Sequence, residues 1–123
     1  MSEVDEEVKL AKEALKDLKH MENVSLRRKY TTLYFSLYHS ARALLLKMEY
    51  SPKTHSGLDT LIHNIIYKDR GIIGEEDAKL FSKVKTRREQ ADYETGFHGS
   101  EEELEDLREH AEKLVEKFIE NSR

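Results

Sequence analysis

The 123-residue chain contains no cysteine, no tryptophan, one proline and five glycines. Without cysteine, neither a disulfide framework nor a thiolate metal centre can form. No run approaches the ~18 consecutive apolar residues of a membrane span. The opening residues, MSEVDEEVKL, are acidic where a secretory leader would carry an apolar core. There is no Gly-rich phosphate loop and no G-x-S-x-G elbow, so nucleotide binding through a P-loop or Rossmann turn has no support. The length suits one domain, residues 1–123, with a modest core. A soluble cytoplasmic protein with no cofactor and no membrane partner is expected.

Charge is abundant and unevenly placed. The net charge is −4. Residues 1–24 carry seven acids and four bases, and residues 99–123 carry nine acids and four bases. The middle, residues 25–98, carries nine acids and thirteen bases. The ends read as solvated helices, and positive potential concentrates in the middle. Such a patch attracts RNA, DNA or an acidic partner despite the negative total.

Apolar residues recur every three or four positions, and no stretch alternates with period two. The fold class is therefore all-α, an up-and-down antiparallel bundle of four to five helices. Helix one spans about 4–21, with Val4, Val8, Ala11, Leu15 and Leu18 on one face. Helix two spans about 25–48, capped by Ser25, with a stripe from Leu26 through Tyr30, Leu33 and Leu37 to Met48. Phe35, His39, Arg42 and Leu46 give it a second face, which requires a larger core or a dimer contact. Pro52 separates it from helix three, about 55–69, which Thr54 or Ser56 would cap. Helix four spans about 75–94. Helix five begins at Ser100, with Glu103 placed to close a capping box.

A di-metal bundle would need Glu-x-x-His pairs, and none of the six histidines has Glu three residues before it. No metal site is expected. Tyr30, Tyr34 and Tyr38 step by four along helix two. They read either as a core edge whose hydroxyls reach polar partners or as a base-stacking face. His39 and Arg42 read as hydrogen-bonded packing at a dimer contact, or as part of an anion-binding surface. His55, in KTHSG, reads as a helix-start residue bonding nearby backbone, with catalysis as the alternative.

The most informative stretch is KLFSKVKTRREQADYETGFH, residues 79–98. Lys79, Lys83, Lys85, Arg87 and Arg88 form a purely basic run inside an acidic protein. Arg88 also falls on the apolar stripe Phe81, Val84, Ala91. A buried arginine needs a partner, and Asp92 is one turn away. Tyr93, five residues on, points well away from the Arg88 face at ~100° per residue.

The strings RRKYTTLYFSLYHSARALLLKMEYSPKTHSG and RREQADYE resemble the HEPN family, and more narrowly its small stand-alone UPF0332-type branch. The resemblance covers about residues 5–120. It implies an all-helical dimer in a toxin–antitoxin or defence module, often beside a minimal nucleotidyltransferase. Many members are metal-independent ribonucleases, with an Arg followed by four to six residues and a His. Arg88 matches that arginine, and Tyr93 stands where the histidine would be. Tyrosine, with a pKa of ~10, is a poor base near neutral pH where histidine is a good one. The resemblance also implies that a partner nucleotidyltransferase could adenylylate a tyrosine near the motif, which here is Tyr93.

Three functions follow. In the first, the chain is a HEPN-type dimer that works with a minimal nucleotidyltransferase. It binds RNA or nucleotide through a basic cleft of Lys83, Lys85, Arg87, Arg88, His39 and Arg42. In the second it is a metal-independent ribonuclease toxin with Arg88, Asp92 and Tyr93 in a variant catalytic site. In the third it is a structural dimer without ligand.

Overall fold

The computed structural model describes residues 2–123. It contains α1 (Glu3–Lys19), α2 (Leu26–Lys47), α3 (His55–Leu61), α4 (Glu75–Tyr93) and α5 (Glu101–Asn121). The described residues include no strand. The all-α bundle read from the sequence is the observed fold.

Side-chain caps set the helix starts. Ser2, Ser25, Thr54 and Ser100 each accept from a backbone N–H three residues on, satisfying donors that have no partner inside the helix. The capping box expected at α5 is half formed. Ser100 Oγ accepts from Glu103 N at 3.0 Å, but the Glu103 carboxylate accepts from the Tyr30 hydroxyl at 2.6 Å and from Arg87 at 2.8 Å. A guanidinium partner outcompetes a neutral backbone N–H.

The third helix is not uniform. Beyond α3 the chain continues as a π-helical stretch, Ile62–Asp69. Leu58, Ile62 and Ile66 are all fully buried, and their spacing of four explains the change. A step of four overshoots an α turn and undershoots a π turn, so the opposite drifts cancel and all three face the core.

Side-chain pairs define the topology. Glu7, early in α1, meets His39 and Arg42, late in α2. Arg27, early in α2, donates to the carbonyl of Ala91, late in α4, at 2.6 Å. Asp77, early in α4, meets Lys117, late in α5. These three pairs of helices are antiparallel, which gives the up-and-down order α1, α2, α4, α5, with α3 crossing between α2 and α4. Helix α2 is the hub and touches every other helix. Tyr30, Leu33, Tyr34, Leu37, Ala41 and Leu45 on it are fully buried. The stripe Tyr30, Leu33, Leu37 and Ala41 is thus covered within one chain, while Phe35, His39, Arg42 and Leu46 on the second face stay half-buried. Ser36 and Ser40, also fully buried, satisfy their hydroxyls on backbone carbonyls of the preceding turn.

Candidate functional site

The core stripe of α4 delivers Arg88 to the junction of α2, α3 and α4. Phe81, Val84 and Ala91 on the same stripe are buried, which holds the Arg88 backbone close to α2. Its side chain is 16% exposed. The guanidinium carbon lies 5.4 Å from the centre of the Tyr34 ring and 5.9 Å from that of Phe35. Such placement is worth ~0.5–2 kcal/mol, more as water is excluded. Arg88 Nε is 2.8 Å from Asp92 Oδ2. Nε is shielded from solvent and still forms no well-aligned hydrogen bond there. The pair thus neutralises charge along the Nε edge of the guanidinium. Thr31 Oγ1 donates to the other carboxylate oxygen of Asp92 at 2.7 Å, fixing that carboxylate from α2.

The remaining basic residues separate into groups. Lys85 shares the Arg88 side of α4 and pairs with Glu89 at 3.1 Å. Arg87 faces α5, bound to Gln90 and Glu103, and joins two helices. Lys83 is exposed and adds positive potential beside Glu103. His39 and Arg42 are both held by Glu7 of α1, at 2.6 and 2.7 Å. His39 stacks on Phe35, 5.9 Å between ring centres at 29°. Tyr93, in the last residue of α4, is 77% exposed. The structure brings Arg88 and Asp92 together, leaves Lys85 paired to Glu89, sets His39 at the edge of the same aromatic cluster, and leaves Tyr93 outside it.

Several residues at this junction were not among the expected site residues. His55 starts α3, and its Nδ1 lies 2.9 Å from the Tyr34 hydroxyl. Its ring packs 4.7 Å from that of Tyr38. Burial pushes the His55 proton affinity down, and the positive charges of Arg88 and Lys85 push it further. Burial likewise drives the Tyr34 phenol well above the ordinary tyrosine range, outweighing the nearby Arg88 charge. Arg27 and Arg28 line a shallow groove of about 300 Å³ with Thr31, Thr32, Phe35 and Asp92. An adjoining depression shares Thr32 and Phe35 and reaches Leu10 and His39. The anchor of His39 and Arg42 carried a local signal: Glu7 falls inside the α1 stripe between Val4, Val8 and Ala11. An acid on an apolar stripe calls for a cationic partner on the facing helix. His55, read from KTHSG as a helix-start residue bonding nearby backbone, instead meets the Tyr34 hydroxyl, while Thr54 caps the helix.

Among the described residues no group of three or more His, Asp or Glu side chains gathers as metal ligands. No helix of the described residues is long and apolar enough to cross a membrane. The chemistry available is a largely buried guanidinium paired through Nε, a neutral imidazole, and an aromatic floor.

The profile of the HEPN domain matches residues 8–122. The chain belongs to the HEPN family. A Methanocaldococcus jannaschii protein named "Putative toxin MJ0605" is 31% identical over 117 residues, spanning 94% of this chain and 86% of that protein. The HEPN match includes α2 and α4 in full, and with them every residue of the Arg88 junction.

Proposed function

We propose that this chain is the HEPN component of a toxin–antitoxin or defence module. It acts as a homodimer with a minimal nucleotidyltransferase partner, and it binds RNA or nucleotide phosphate at the Arg88 junction. One observation carries the reading: Arg88 is held over Tyr34 and Phe35 and charge-paired to Asp92 through Nε. A planar, preorganised guanidinium of this kind suits bidentate recognition of phosphate. Likeness to the Methanocaldococcus jannaschii protein named "Putative toxin MJ0605" supports the module. The half-buried Thr32, Phe35 and His39 on α2, next to the exposed Leu10 of α1, supply an apolar patch for a second copy.

Purified protein incubated with labelled single-stranded RNA, with and without chelator, tests this. The expected result is salt-sensitive binding without cleavage, lost in Arg88→Ala. Cleavage that persists in chelator and disappears in Arg88→Ala would instead establish the ribonuclease reading, with Asp92 and Tyr93 as its further candidates. A monomer at micromolar concentration by light scattering would overturn the dimer.

A further inference from the structure

We infer that His55 supplies a second hydrogen bond to the phosphate held by Arg88, donating from Nε2, with the Tyr34 hydroxyl fixing its tautomer. The inference rests on the reading that Arg88 binds phosphate.

Tyr34 is fully buried, and its hydroxyl has one hydrogen-bond partner among the described residues, His55 Nδ1 at 2.9 Å. A buried phenol proton with no other acceptor must go there, because leaving it unpaired is costly. Burial also raises the Tyr34 proton affinity, so the phenol keeps its proton and donates it. With Nδ1 engaged as acceptor, the neutral ring carries its own hydrogen on Nε2.

The surroundings keep His55 neutral. Burial works against its charge, and so do Arg88 and Lys85 on α4 and His39 on α2; Glu89 works the other way. Tyr38 packs flat apolar surface against it. Asp59, on α3 itself, lies 3.3 Å from His63. Nε2 has no partner among the described residues, and the ring is half-buried rather than sealed. The guanidinium of Arg88 and the ring of His55 both lie within 6 Å of the centre of the Tyr34 ring. Both side chains border the Tyr34 ring, and the proposed anion takes charge from one and an N–H from the other. A neutral imidazole serving as donor beside a cation costs no like-charge repulsion.

The same geometry defines what His55 does not do. A base for RNA cleavage needs a nitrogen lone pair facing the 2′-hydroxyl. Here Nδ1 is occupied by Tyr34 and Nε2 carries hydrogen. His55 is a ligand-binding donor, and Tyr34 is its positioning residue.

The test uses full-length protein with two probes, a labelled single-stranded RNA oligonucleotide and AMP. His55→Ala should weaken binding about 10- to 100-fold, the range for a hydrogen bond to a charged group. His55→Gln, which keeps an amide N–H donor and has no titratable group, should recover most of it. Loss with both probes assigns a phosphate monoester as sufficient; loss with RNA alone assigns the diester. Nitrogen-15 spectra of the histidine rings should show His55 wholly as the Nε2–H tautomer, and Tyr34→Phe should relax it toward the mixed population of a free imidazole. Unchanged binding in His55→Ala where Arg88→Ala binds nothing would overturn this inference alone, as would the Nδ1–H tautomer. Unchanged binding in Arg88→Ala, or no binding by the unaltered protein, would overturn the underlying reading with it. Should His55→Ala fail to fold by circular dichroism, His55→Gln and the spectra decide.

Discussion

Arg88 lies 5.4 Å over the ring of Tyr34, joining a charge on α4 to the buried centre of α2. The contact depends on a flat cation. Arg88→Lys keeps the charge but replaces the guanidinium plane with a strongly hydrated ammonium. We expect a stability loss of ~0.5–2 kcal/mol, read as a lower urea midpoint with unchanged slope. A midpoint equal to that of the parent would show that the stacking contributes nothing.

Two carboxylates outside the Arg88 junction set the acid limit of the fold. Burial works to raise Asp77, but hydrogen bonds from Lys117, His110 and the Gly74 backbone more than offset it, and its carboxyl ends below the usual range. For Glu103 the same opposition is settled downward by Tyr30 and Arg87. A folded-state pKa below the unfolded one gives stability that is present above about pH 4 and lost as pH falls through the depressed value. Urea midpoints measured from pH 7 down to pH 2 should fall steeply below pH 4. The fall should be shallower in Asp77→Asn, and parallel acid slopes for the two proteins would refute the assignment.

The stripes along α1, α2, α4 and α5 were readable because a 3.6-residue period is a local property of the chain. So were the caps at Ser25 and Ser100, which act within four residues. The contacts that build the Arg88 junction are of another kind. Tyr34 meets His55 across a turn, Thr31 meets Asp92 across 61 residues, and Glu7 anchors His39 and Arg42 across more than 30. Each depends on how helices are set against one another, which no window of sequence reports. Glu103 shows the two levels in competition: its local pattern specifies a capping box, and tertiary partners take the carboxylate. Arg88 was legible because it breaks a local pattern, a charge on an apolar stripe; His55 breaks none.

The loop between α4 and α5 has no room for a larger residue at Gly99. A Cβ there would sit 2.5 Å from Phe97 Cζ and 2.8 Å from Tyr30 Cε2. Those two rings meet edge to face at 5.2 Å, and Arg27 lies over Phe97 at 5.5 Å. Gly99→Ala must therefore push Phe97 off a buried tyrosine. The expected cost is ~1–3 kcal/mol, as for other overpacked sites, measured by thermal or urea unfolding. A change below ~0.5 kcal/mol would mean the loop relaxes freely.

Three tyrosines of α2 and α4 differ sharply in access, and that difference predicts where a partner can act. Tyr30 and Tyr34 are fully buried, while Tyr93 is 77% exposed. Transfer of an adenylyl group requires the phenol oxygen to attack the α-phosphate of ATP with release of pyrophosphate. Only an oxygen that a partner's active site can surround meets that demand. Incubation with a minimal nucleotidyltransferase, ATP and magnesium should therefore place AMP on Tyr93 and on neither buried tyrosine, as read by peptide mass spectrometry. Tyr93→Phe should abolish the modification while leaving stability within ~0.5 kcal/mol, the range for an exposed surface change. Modification that persists in Tyr93→Phe would move the acceptor elsewhere on the chain.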